Sequence, residues 1–302
     1  MPYVRYSLPL LIVAMIASSA TLAVAQRQDS KSDPVPKEEI FTLRYKPQLG
    51  TTLYDAETVV MHHLENGVEF PITSHAQLAW KNISVDLNNS VWTFDRYYTR
   101  LNTIDRDTTI KEIGCINKVS RLTYSMVGEE LKREVIDTSI LSEDAQFLSY
   151  FFRAPKMMLP LPLERVTYGA TWTDVGTDTI AVPGGSFIYR VGHTYHFDRL
   201  IDTLDDGHAA VITSEQTGLF EGVQQRVGEQ RLSFTGPITG ADTTYLNLLT
   251  GRVVLRISHI NIPVHVEAQE GLPSSDILDV RSVYAINRSN MRGTRNANGA
   301  PR

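Results

Sequence analysis

The sequence predicts an all-β, mainly antiparallel fold: a long, strongly curved sheet or incomplete barrel with one short helix. Three observations carry this. Over Phe187–Asp198, Phe187, Tyr189, Val191, Tyr195 and Phe197 alternate with Arg190, Gly192, Thr194, His196 and Asp198, the period of two of a half-buried strand. Turn-forming residues recur between such runs, at Asn66-Gly67, Asn88-Asn89, Pro183-Gly184-Gly185, Asp205-Asp206-Gly207 and Thr250-Gly251, as hairpins require. In the last long run the apolar phase flips, from Val253, Leu255 and Ile257 to Ile260, Ile262, Val264 and Val266. A one-residue slip reverses every side chain, so a β-bulge or sharp bend is expected at Ser258–Ile260. Long strands bent in this way wrap around something.

The chain opens with Arg5 as the one charge in residues 1–25, an uncharged apolar run from Leu8 through Ala17, and Ala23-Val24-Ala25 before Gln26. The run is too short to span a bilayer comfortably, and the small-x-small end suits a signal peptidase. A signal peptide over 1–25 and a periplasmic or extracellular destination are expected. Residues 26–39, polar and holding Pro34 and Pro36, read as a flexible leader. The β domain is expected over 40–287, as one unit or as two related halves, 40–142 and 165–287, joined by a connector at 143–164.

Within it, Phe41-Thr42-Leu43-Arg44-Tyr45 alternates like a strand, Pro47 and Gly50 break the pattern, and a β-rich run follows from Thr51 to Leu64. Trp92, Phe94 and Tyr98 fall on one face of a later strand. The one helix expected starts at Ser142, a capping residue, carries Glu143 and Asp144 in its first turn, and presents Phe147, Leu148, Phe151 and Phe152 as a stripe before Pro155 ends it. Leu159-Pro160-Leu161-Pro162-Leu163 is then extended, rigid and apolar, which suits a connector lying across a core. Residues 288–302, with Arg288, Arg292, Arg295 and Arg302 among Asn, Gly, Ser and Pro, lack the apolar residues to pack and read as a disordered basic tail.

Composition narrows the function classes. The 29 basic residues against 34 acidic ones give a net charge of −5, or −6 once Arg5 leaves with the signal, and a weakly acidic surface argues against nucleic-acid binding. The lone Cys115 excludes an internal disulfide and is far from the cleavage site, so no lipid-bearing cysteine begins the mature chain. In Ile113-Gly114-Cys115-Ile116 it reads as a buried thiol.

Signatures of a nucleophile elbow, phosphate loop, dinucleotide fold, zinc helix or calcium loop do not occur, so no catalytic or cofactor-binding residue is assigned. His62 and His63 point to opposite faces of a strand, as do His193 and His196, which leaves no pair with metal-ligand spacing. His259 and His265 share a face only without the expected bulge. Glu129-Glu130 and Asp205-Asp206 read as solvated turn acids rather than acid/base pairs. Two features suit a ligand surface: the aromatic face of Tyr189, Tyr195 and Phe197, able to pack an apolar ligand or stack on sugars, and Met157-Met158, soft apolar side chains beside the proline-rich connector.

The element Val166-Thr167-Tyr168-Gly169-Ala170-Thr171-Trp172 after a proline-containing stretch resembles the V-x-x-G-x-x-W element of uncharacterised exported bacterial all-β domains. It loosely echoes Tyr45–Tyr54, where Gly50 also precedes a strand bearing an aromatic. In architecture the chain is distantly similar to the curved-sheet carriers of lipoproteins and lipids in Gram-negative envelopes, a resemblance that implies a concave apolar face but maps no functional residue. The leading expectation is an exported, non-catalytic β protein binding a hydrophobic small molecule or an envelope protein. The alternatives are an envelope-polymer hydrolase whose site is assembled from distant strands, and a surface or adhesion module with a filled interior and an exposed apolar patch.

Overall fold

The computed structural model describes residues 39–64, 69–105, 108–111, 116–136, 158–182, 184–203, 207–225, 230–268 and 274–286. The expected signal peptide, most of the leader, the Asn66-Gly67 and Asp205-Asp206 turn residues, Cys115, the helix begun at Ser142, Met157 and the basic tail lie outside them.

Among the described residues, twelve strands form a single antiparallel sheet that does not close. In chain order they are β1 (Gly50–Leu64), β2 (Glu69–Asp86), β3 (Val91–Asp105), β4 (Thr108–Lys111), β5 (Ser120–Ser125), β6 (Glu130–Val135), β7 (Thr171–Val182), β8 (Gly185–Thr203), β9 (Gly207–Gln224), β10 (Leu232–Asn247), β11 (Arg252–Ala268) and β12 (Ser274–Ile286). The order across the sheet is β6-β5-β3-β2-β1-β12-β11-β10-β9-β8-β7, with β4 beside β3. Neighbours in the sheet follow one another along the chain except where β3 pairs with β5 past β4 and, over a far longer span, at one further junction. That junction pairs the first strand with the last, from Tyr54 opposite Ile286 to Leu64 opposite Asp276. The echo between Tyr45–Tyr54 and Val166–Trp172 thus marks the entry to β1, in the middle of the sheet, and to β7, at its edge.

The turns behave as their residues dictate. Between β2 and β3 the Asp86 carboxylate accepts from the backbone N–H of Asn88 (3.0 Å) and Asn89 (3.1 Å), and Ser90 takes a left-handed φ of 55°. Between β10 and β11, Gly251 has φ of +60° and lies so close to the N-terminal segment that a Cβ would sit 2.2 Å from the Lys46 nitrogen.

Two strand details depart from the sequence pattern. The phase of β11 changes near Val254, where Tyr245 pairs with Leu255 but Leu246 with Val253; through Ser258–Ile260 the pairing with β12 is regular. The shift comes earlier because Arg256 and Ser258 turn inward and are buried, while Ile257 is 44% exposed on the outer face. Apolar alternation misled here because the inward positions are filled by a polar network. Strand β10, with Gly236, Pro237 and Gly240, gave no strand signal. Its register with β11 passes from Thr235–His265 to Thr239–Asn261, which sets Pro237 opposite Pro263. Neither has an N–H to donate, and the ladder skips that stretch.

The inner face carries one continuous core, and two extended segments lie against it. In the first, Phe41, Leu43 and Tyr45 are buried while Thr42 is exposed. Their alternation is that of a strand, yet no ladder forms: Phe41 exchanges hydrogen bonds with Val166, whereas Tyr45 N–H goes to Met126 and Lys46 N–H to Gly251. The second is the proline-rich connector, with Met158, Leu159 and Leu161 buried. Burying an extended segment requires partners for its backbone groups. Prolines remove the donors at 160 and 162, and side chains satisfy the acceptors: Tyr45 Oη donates to Leu159 O (3.0 Å), Trp172 Nε1 to Pro160 O (2.7 Å), and the Arg44 guanidinium to Pro162 O (2.6 Å) and Leu163 O. The Tyr45 hydroxyl also accepts from Leu159 N–H (3.0 Å). Within the V-x-x-G-x-x-W element, Val166 bridges to Phe41, Gly169 has φ of +80°, and Trp172 holds the connector.

Among the described glycines, the closest side chain lies over Gly222 in β9. Its cross-strand partner Phe187 is fully buried, and a Cβ on Gly222 would lie 2.0 Å from the Phe187 ring. That ring also stacks on Phe220 (centroids 5.3 Å apart). Gly222→Ala should therefore lower the unfolding free energy by about 1–3 kcal/mol, measured by denaturant titration.

Candidate functional site

At the sheet end where β1 begins and β2 finishes, rings from neighbouring strands gather on the inner face. Trp80 of β2 stacks on Phe94 of β3 (4.9 Å), Phe94 on Trp92 (4.7 Å), and Tyr54 of β1 tilts against Trp80 (5.0 Å). Tyr45, from the segment across the sheet, lies 6.5 Å from Trp92. Period-two alternation on adjacent strands forces these rings together. Between them and the β10–β11 turn opens a cleft lined by Tyr45, Pro47, Thr52, Tyr54, Trp80, Asn82, Trp92, Met158, Gly251, Arg252 and Val253, with a free interior of about 20 Å³. That is room for one water-sized group.

The polar atoms of this cleft are incompletely paired. Asn82 Nδ2 donates to Gln48 O (2.6 Å), which orients the amide and leaves Oδ1 as the free end. Asn82 Oδ1 and both indole nitrogens, Trp80 Nε1 and Trp92 Nε1, are buried with no hydrogen-bond partner. Burial, only slightly offset by Arg252, pushes the Tyr54 phenol up to about 12, so it stays neutral at physiological pH. Exposed leucines occur in the connections at this end of the sheet: Leu49 (70% exposed) next to Gln48, Leu87 (78%) in the β2–β3 turn, and Leu249 (66%) in the β10–β11 turn.

The residues singled out in the sequence are placed as follows. Met158 is buried in the cleft wall. Tyr195 and Phe197 lie on the same inner face but are covered by the chain itself. Phe197 is fully buried beneath Phe41 (5.3 Å) and Tyr168 (5.2 Å), and Tyr195 is sandwiched by Trp172 and His193, each 5.6 Å away. Tyr189 is half-buried against Phe220 (5.1 Å). These three therefore form part of the wall at some remove from the cleft. The cleft residues Trp80, Asn82 and Arg252 were not singled out. They sit at two strand ends far apart in sequence, the end of β2 and the start of β11, and only the sheet brings them together.

A buried polar network occupies the middle of the inner face. Asp242 Oδ2 accepts from Arg256 Nη2 (2.8 Å), Gln216 Nε2 (2.6 Å) and Ser214 Oγ (3.1 Å). Burial alone would raise its pKa, but the Arg256 guanidinium and the hydroxyls of Ser258 and Ser214 hold it below the ordinary carboxylate range. Glu130 is likewise held low against burial by Arg133 and the Tyr124 hydroxyl, which places it in a structural pair. His259 and His265 both face outward and are exposed, the first on Asp279 (2.8 Å) and the second near Glu267 (3.6 Å). Among the described residues no group of three or more His, Cys, Asp or Glu could hold a metal ion, and no helix is long and apolar enough to cross a membrane.

No family model and no curated protein matches this chain. Among solved structures, two mutants of the Rh. blastica porin are similar at 11% and 10% identity, each over 78% of this chain and 100% of the porin chain, with TM-scores of 0.25. A likeness at that level defines no function.

The Asp242 network yields a signed prediction. Asp242→Asn leaves the Arg256 charge buried without its counter-ion and should cost about 3–5 kcal/mol at neutral pH. Because the folded-state pKa is depressed, the carboxylate's contribution is present above its unfolded value of about 3.9 and is lost as pH falls through the lower folded value. In urea titrations the gap between wild type and variant should be constant above about pH 5 and shrink below it.

Proposed function

We propose that this chain is an exported, non-catalytic binding protein whose aromatic cleft docks an apolar group presented by a hydrophobic ligand or by a protein of the cell envelope. The export part follows from residues 1–25. The binding part is carried by one observation: a cleft walled by Tyr45, Tyr54, Trp80, Trp92 and Met158, with exposed Leu49, Leu87 and Leu249 in the connections at the same end of the sheet. Exposed apolar side chains next to an aromatic cleft fit a surface that is covered when a partner arrives. The inner face beside Tyr195 and Phe197 is filled by Phe41, Tyr168 and Trp172, which favours docking at the sheet end over enclosure of a whole acyl chain.

Tryptophan fluorescence tests this directly, since two of the chain's three tryptophans, Trp80 and Trp92, line the cleft. Titrating residues 26–302 with n-octylphosphocholine below its micellar concentration should give a saturable spectral shift. The triple substitution Leu49→Ser, Leu87→Ser and Leu249→Ser, at exposed positions tolerant of change, should raise Kd about tenfold. A linear, unsaturable response in folded wild type would remove the docking role.

A further inference from the structure

We infer that the outer flank of β7 is a self-association edge, to which a second copy of this chain adds its own β7 antiparallel about a two-fold at Val175. This is independent of the binding role proposed above. The sheet ends differently on its two sides. At one end β6 spans six residues and carries Lys132, Arg133 and Glu134, charges of the kind that guard an edge strand. At the other, β7 runs twelve residues without a lysine, arginine or proline, and it is the last strand on that side among the described residues. Thr171, Thr173, Val175, Thr177 and Thr179 form its exposed outer row. Val175, 79% exposed, is the most exposed large apolar side chain among the described residues.

The phase of the backbone decides which residues can pair across that edge. Phe197 N–H donates to Ala170 O (2.9 Å), in step with the register that sets Thr171 opposite His196. Hydrogen-bonded and non-hydrogen-bonded pairs alternate along an antiparallel ladder. The even-numbered residues of β7 therefore direct their N–H and C=O groups to β8, while Thr173, Val175 and Thr177 direct theirs away from it. Charge restricts the two-fold further. A centre at Asp174 sets that residue against itself, and a centre at Gly176 sets it opposite Asp178; like charges directly opposite destabilise a strand pair. A centre at Val175 sets Asp174 opposite Gly176, with the two Asp174 residues diagonal. A centre at Thr177 also spares the aspartates but leaves Val175 facing Thr179. Only the centre at Val175 covers the exposed valine with its own copy, and it exchanges two hydrogen bonds across each of the pairs Thr173–Thr177, Val175–Val175 and Thr177–Thr173. The outer row Thr-Thr-Val-Thr-Thr reads the same in both directions. An isologous contact requires that symmetry, so the strand that fits this edge is another β7.

Sedimentation equilibrium of residues 26–302 over about 1–300 μM should show a reversible monomer–dimer equilibrium with Kd below about 100 μM. Val175→Lys sets two ammonium groups at the two-fold. Thr177→Pro removes an N–H directed away from β8, a change that an edge strand tolerates. Each variant should keep the wild-type circular dichroism spectrum and raise Kd at least about tenfold; if one misfolds, the other decides. The triple serine variant at Leu49, Leu87 and Leu249 should dimerise as wild type does. A wild type that stays monomeric throughout overturns the inference. So does a dimer that either folded β7 variant leaves unchanged, and so does one that is lost with the leucines.

Discussion

A sheet that does not close must cover its inner face with chain from elsewhere, and in this protein everything follows from how that cover is held down. Two extended segments, remote in sequence, lie across the strands. Neither forms a ladder, so their backbone groups are satisfied individually by Tyr45, Arg44 and Trp172. The prolines make this feasible by halving the problem: a segment with fewer N–H groups needs mostly donors from its surroundings, and aromatic and guanidinium side chains supply them while burying apolar surface. Tyr45 serves both tasks, since its hydroxyl fixes Leu159 and its ring forms a wall of the cleft. The geometry of the cleft is thus set by the same contact that anchors the cover.

The inner face is partitioned along its length. Rings dominate at the end holding Trp80 and Trp92, and again around Phe187, Phe220 and Phe234. Between them the Asp242–Arg256 network provides a polar band. Such a buried pair adds little net stability compared with apolar residues, but a misregistered β10 or β11 would leave a charge buried alone. With Pro237 opposite Pro263 breaking the ladder between the same two strands, a polar lock is a reasonable device for register where hydrogen bonding is weakest.

The fold class was legible because alternation and turn chemistry are local properties. Phe187–Phe197 and Trp92–Tyr98 face inward as their spacing requires, and Asn88-Asn89 and Thr250-Gly251 form turns. The buried connector was legible too, from the rarity of an apolar Leu-Pro repeat in solvent. The failures share a cause: long-range pairing overrides local pattern. Phe41–Tyr45 alternates like a strand yet finds no ladder, and the β11 phase moves to Val254 because Arg256 meets Asp242. The cleft was invisible for the same reason. Its residues come from β1, β2, β3, β11 and both crossing segments, and no single stretch contains enough of it to read. The aromatic stripe that was conspicuous in sequence, Tyr195 and Phe197, proved to be where the chain covers itself.

Pairing of the first strand with the last has a temporal consequence. β1 emerges well before β12, and most of the strands between them can assemble by neighbour-to-neighbour hairpins as they emerge. Until β12 arrives, β1 stands with one flank of backbone donors and acceptors open, over the stretch from Tyr54 to Leu64. An unsatisfied flank of that length recruits whatever extended chain is nearest. The folding sheet is thus most vulnerable to misassociation before β12 docks, and that strand acts as the seal.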